Sequence, residues 1–165
     1  MNNEVTIITV ADLKLITSIS KGMEESLLEP HIDISERMHV LDILGDALTT
    51  ELKSQITGGT ISALNQLLLS KYVKPLACYA TWFEASPFLY TKTQNKGLVK
   101  QSSNNSENLS KEEFLEMYRQ PIKDKVAFFR NELVKYLNSN SSSYPLYRCD
   151  VPPTSFSSGF YLGRY

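Results

Sequence analysis

The chain has 165 residues, 42% of them hydrophobic and 21% charged, which is the composition of one ordinary globular domain with appendages and excludes a disordered or fibrous chain. Seventeen basic against eighteen acidic residues leave a formal charge of -1, which excludes the electrostatic footprint of a dedicated DNA or RNA binder. Met1 to Glu4 show no basic stretch leading into an apolar run, and no segment approaches a membrane span. Cys78 and Cys149 lack a metal-ligand spacing. The expectation is a soluble protein made without an export signal, in a reducing compartment.

In chain order, the β-branched run Val5 to Val10 reads as a short strand or an extended arm. Thr9 and Asp12 offer a Thr-x-x-Asp start for a short helix to about Ser18, with Leu13 and Ile16 on one face. Leu27, His31, Ile34, Met38 and Leu41 then form a helical stripe at alternating spacings of four and three. Pro30 means that this helix either starts there or is kinked there after a start near Met23. Gly45 stops it, and Asp46 can cap a second helix carrying Leu48, Leu52 and Ile56, which Gly58 and Gly59 end.

Thr60 or Ser62 can cap a third helical region, Ala63 to about Phe88, whose Leu64, Leu67, Leu68, Tyr72, Leu76, Tyr79, Ala80, Trp82 and Phe83 make it the buried centre. Pro75 is expected to bend it and Pro87 to end it. Residues 91–109 are rich in serine and asparagine and read as a mobile loop. Ser110 and Glu113 match a capping box, after which Phe114, Tyr118, Ile122, Val126, Phe129, Leu133 and Leu137 sustain one stripe. Its interleaved acids and bases read as a solvated face. Asn138 to Ser143 follow as a polar linker. The fold class expected is all-α: a bundle of four to six helices, residues 1–143, with an arm at 1–10.

Residues 144–165 read as an extended tail. Tyr144, Tyr147, Phe156, Phe160, Tyr161 and Tyr165 are aromatic, while Pro145, Pro152 and Pro153 oppose a helix. Six large rings can remove about 900 to 1,500 Å² from water, the scale of one side of a specific protein interface. These six residues are therefore assigned to a protein interface; the alternative is that they pack back on their own domain.

Chemistry is thinly represented. His31, Ser35 and His39 share a helix face, but two turns separate the histidines by about 12 Å, too far for both to hold one ion at roughly 2.1 Å. Cys78 lies in the most apolar helix and behaves as a small hydrophobe, and Gly58-Gly59 lacks the spacing and lysine of a phosphate loop. No catalytic, metal or cofactor site is assigned, and the reading is not an enzyme.

Ile43-Leu44-Gly45-Asp46, Tyr72-Val73-Lys74-Pro75-Leu76, Lys96-Gly97-Leu98-Val99 and Tyr144-Pro145-Leu146-Tyr147, in that order, give the chain a resemblance to another group of proteins. It resembles the helical head-to-tail connector, or adaptor, proteins of tailed bacteriophages. It is most similar to an uncharacterised family found in phages of Bacteroidetes, including crAss-like phages, over about Glu24 to Arg148. The resemblance implies a virion protein made in the host cytoplasm and repeated, typically twelve times, as a neck ring at the portal vertex. The ring would contact the portal protein and tail or further neck-ring proteins, with DNA passing through the lumen without sequence-specific binding and without a membrane partner. The rival reading is a small helical DNA-binding or packaging-accessory protein, which requires basic residues gathered on one helix face and salt-sensitive binding.

Overall fold

The computed structural model describes residues 5–93, 99–101, 106–108 and 110–147. The architecture is an all-α bundle of four helical rods among the described residues: α1 (Val10–Ile16); α2 (Glu29–Ser35) continued through a π-helical stretch into α3 (Asp42–Gly58); α4 (Ala63–Leu68) continued likewise into α5 (Lys74–Thr93); and α6 (Lys111–Glu113) continued into α7 (Gln120–Ser139).

The expected punctuation is present. Thr9 and Asp12 form a reciprocal capping box, and Ser62 caps α4 by accepting from the Asn65 amide. Ser110 and Glu113 exchange two hydrogen bonds of 3.0 and 3.1 Å before α6. Pro30 lies in the first turn of α2, where its missing N–H costs nothing. Gly59 closes α3 in the left-handed conformation (φ 63°), and Gly45 (φ 73°, ψ 166°) kinks that rod in a region open essentially to glycine alone.

Prolines are absorbed in two ways. The π-helical stretches Leu69–Val73 and Phe114–Arg119 run up to Lys74-Pro75 and Gln120-Pro121. The carbonyls that these rings would strike, four residues back at Lys71 and Met117, therefore lie in a widened turn. Pro87 does not end its helix as the sequence led us to expect; it sits inside α5. The carbonyl it leaves without an amide donor is that of Phe83, and the buried Ser86 hydroxyl donates to that same oxygen at 2.8 Å.

α5 is the middle of the bundle. At ~100° per residue, Ala77, Thr81, Glu84 and Phe88 lie along one side of it, and Tyr79, Trp82 and Phe83 along the opposite side. The first side packs on the α2 rod through Ser35–Thr81, His39–Glu84 and the His31–Phe88 rings, 4.9 Å apart. The second packs on the α7 rod through Tyr79 stacked on Phe129 (5.4 Å), the Trp82 N–H donating to the Tyr118 hydroxyl (3.2 Å), and Arg119 over the Phe83 ring (4.2 Å). The α7 stripe is as read: Phe114, Ile122, Val126, Leu133 and Leu137 are buried, with Tyr118 and Phe129 half-buried.

The stripe assigned to α2 needs correction. Ile34 and Met38 are exposed, and the buried positions are Leu28, Ile32, Ser35, Glu36, His39 and Val40. Three polar side chains occupy the core-facing row because each meets a partner from a distant segment, which periodicity cannot register. The charged residues of α7 are likewise not all solvated: Arg130 is buried and donates to Asp42 at 2.6 Å.

The N-terminal segment is an arm without strand pairing among the described residues. Ile7 and Ile8 are buried, and both amides donate to one Glu36 carboxylate oxygen, at 2.6 and 3.2 Å. Within the expected loop, α5 continues to Thr93, and β1 (Val99–Gln101) pairs antiparallel with β2 (Ser106–Asn108), Val99 opposite Asn108. The remainder of that loop lies outside the described residues. The polar linker is shorter than expected, since α7 runs to Ser139 and Ser141–Ser143 form a 3-10 turn.

Candidate functional site

Two of the six aromatic residues assigned to an interface belong to the domain core. Tyr144 and Tyr147 are 2% and 6% exposed. Pro145 follows Tyr144, and the Tyr147 amide donates to the Tyr144 carbonyl (2.9 Å), closing a turn that brings both rings inward. The Tyr144 hydroxyl donates to the Leu64 carbonyl (3.2 Å), and that of Tyr147 to Asn138 Oδ1 (3.0 Å). The described domain thus extends to residue 147, four residues past the expected boundary. Phe156, Phe160, Tyr161 and Tyr165 lie outside the described residues.

What the described surface does offer is apolar side chains on both flanks. On the α2 flank, Ile34 (45% exposed) and Met38 (55%) are exposed, and Phe88 of α5 (58%) lies against the His31 ring. On the α7 flank, Met117 (71%) and Phe128 (59%) share the outward face, opposite the buried Val126 and Leu133. The two patches sit on rods that pack against opposite sides of α5. Neither patch was read from the sequence: Ile34 and Met38 were assigned to the apolar stripe of their helix, while Met117 and Phe128 fell outside the α7 stripe.

The residues weighed for chemistry are separated by the fold. His39 is 1% exposed with Nε2 2.9 Å from Glu84 Oε1, Ser35 meets Thr81 at 2.5 Å, and His31 lies against Phe88. Burial pushes the His31 imidazole below its ordinary value, against the raising effect of Glu84. No group of three potential metal ligands occurs among the described residues. Burial pushes the Cys78 thiol up to about 12, so this sulfur stays protonated and inert at neutral pH.

One polar residue with no assigned role stands out. Glu36, 3% exposed, anchors the arm through Oε1, and its Oε2 lies 3.4 Å from Lys53 Nζ. Burial raises its pKa, although the two amides and Lys53 favour the charged form. Its signal in the sequence was an acid at four-residue spacing between Ile32 and Val40 on the apolar row. No helix among the described residues is long and apolar enough to cross a membrane.

Comparisons with curated proteins and with solved structures find no match. A protein family does match, over residues 40–157, from the π-helical stretch between α2 and α3 through the bundle and past Tyr147. That is more than half of the chain, which therefore belongs to a family of unknown function (DUF6712).

Proposed function

We propose that the protein is a structural subunit that assembles head to tail into a closed ring, the neck ring that joins the portal to the tail of a bacteriophage and lets DNA pass. The observation that carries this reading is the placement of two unlike apolar ridges, Ile34–Met38–Phe88 and Met117–Phe128, on opposite flanks of one bundle. A ring is closed by heterologous contacts, each joining one patch to a different patch on the next copy, whereas a two-fold dimer needs only one self-complementary patch. A formal charge of -1 suits a duct that must not grip passing phosphates. The sequence resemblance to head-to-tail connectors supplies the portal, the tail and about twelve copies as the partners of the proposal. Phe156, Phe160, Tyr161 and Tyr165 remain assigned to contacts with an adjoining polypeptide, where repetition multiplies a weak individual contact.

Electron microscopy of the purified full-length protein tests this, with annular particles as the expected result. Deletion of Val151 to Tyr165 should leave a folded helical domain, because Tyr144 and Tyr147 stay in place, and should abolish the rings. Rings that persist after the deletion would remove the tail from the proposal, and salt-sensitive DNA binding by particles without rotational symmetry would favour the packaging-accessory reading.

A further inference from the structure

A cleft of about 140 Å³ adjoins the point where the chain leaves the described domain, lined by Leu48, Leu64, Tyr144, Pro145 and Leu146, with Glu51 as its one acid and no base. The turn that seats Tyr144 and Tyr147 builds it. The Tyr147 amide on the Tyr144 carbonyl (2.9 Å) puts Pro145 and Leu146 at the tip of that turn, and the Tyr144 hydroxyl on the Leu64 carbonyl (3.2 Å) holds the turn against α4. Leu64 and Leu146 are each 39% exposed, so the apolar lining is open to a partner. A cavity of about 150 Å³ takes up one benzene, which makes this cleft the size of a single aromatic ring.

The chain itself supplies the matching chemistry. Residues 148–165 lie outside the described residues and start one position past Tyr147. Residues 156–165 contain four aromatic side chains and one charged residue, Arg164, whose sign complements Glu51. Eight residues separate Tyr147 from Phe156, an extended span of about 28 Å at roughly 3.1 Å per residue. Pro152 and Pro153 lie within that spacer and resist a reversal of the chain. The chain's own cleft begins at Leu146, at the root of the spacer, so a stretched spacer carries the rings past it and within reach of a neighbour.

We propose that the cleft receives residues 156–165 of an adjoining copy, with the Phe160-Tyr161 pair supplying the ring between Leu64 and Leu146 and Arg164 meeting Glu51. An aromatic anchor in a small apolar pocket, with a charge pair at its side, is the usual build of an interface hot spot. The inference rests on the reading of the protein as an assembling subunit and names the surface that its last aromatic residues occupy.

The test uses full-length protein carrying a photoreactive diazirine amino acid in place of Leu162, refolded together with an equal amount of heavy-isotope-labelled parent. After irradiation, mass spectrometry of the digest reads both the attachment site and the copy that holds it. Attachment to heavy peptides containing Leu64 or Leu146 is expected. Leu64→Asp in the parent should abolish it, and Glu51→Gln should lower it about 2- to 5-fold, the worth of an exposed ion pair. An unchanged thermal transition shows that each variant is folded. Attachment confined to light copies would mean that the segment folds back on its own domain, and attachment elsewhere, or undiminished in both variants, would mean that the cleft is not the receptor; each overturns the inference. Electron microscopy of the same samples separates the two readings: annular particles without this attachment overturn the inference alone, and heavy-copy attachment without annular particles upholds it while removing the ring.

Discussion

The two sides of α5 are held by different physics. Toward α7 the contact is apolar and aromatic, with Tyr79 on Phe129, Trp82 against Tyr118, and Leu133 and Leu137 fully buried. Toward α2 it runs through paired polar groups, Ser35 with Thr81 and His39 with Glu84. Burial of carbon surface is tolerant of detail and strong, roughly 25 cal/mol per Å². Polar pairs contribute little net stability but penalise every misalignment, since either member left alone carries its full desolvation cost. The α7 face therefore supplies most of the cohesion, and the α2 face fixes which residue of α2 meets which residue of α5.

The largest effect separating the two faces is expected from Leu133→Ala. It should lower the unfolding free energy by about 2 to 5 kcal/mol, the cost of a cavity in a well-packed core, measured from the denaturant midpoint at constant slope. A loss below about 1 kcal/mol would show that α7 is not the main buttress. Next comes Glu84→Ala, which removes the carboxylate facing Nε2 of the buried His39 and should cost about 1 to 3 kcal/mol. A neutral result would show that this pair contributes nothing to the α2 face.

Thr81→Val sharpens the comparison further. It should cost about 1 kcal/mol alone and, combined with Ser35→Ala, less than the two single losses summed, because the contact they share can be lost only once. Additive losses in that double-mutant cycle would mean that the two groups act separately.

The smallest effect concerns pH. Burial holds the folded-state pKa of Glu36 above its ordinary 4.5, so the folded protein keeps a proton that the unfolded chain has released. The resulting stability is present below pH 4.5 and lost as pH rises through the folded value. Glu36→Gln removes that loss. Its stability relative to the parent should therefore improve with rising pH across this window, and a difference that stays flat would place the carboxyl's pKa at its ordinary value.

The same contrast governs what could be read from the residues alone. The α7 stripe from Phe114 to Leu137 was legible because apolar burial obeys the helical period. So were the Thr9, Ser62 and Ser110 caps and the breaks at Gly45 and Gly59, each of which acts through its immediate neighbours. The α2 stripe was misread by the same rule, since Ser35, Glu36 and His39 occupy positions that the period reserves for carbon. Pro87 misled because its remedy lies in the hydroxyl of Ser86, a side-chain bond that no propensity encodes. Tyr144 and Tyr147 looked like tail because a Tyr-Pro-Leu-Tyr segment gives no sign of whether its turn folds inward. The exposed apolar patches were illegible for the opposite reason: they are defined by what the rest of the fold leaves uncovered.

The central claim, that opposite flanks of one bundle join unlike patches on successive copies, is tested most directly by mixing two blocked variants. Met38→Asp and Phe128→Asp are both at exposed positions, and each spoils one ridge while sparing the other. Native mass spectrometry should find each variant monomeric alone and the equimolar mixture forming heterodimers without rings, since only one sound pair of ridges remains. Parent-like assembly by either variant alone would contradict the account.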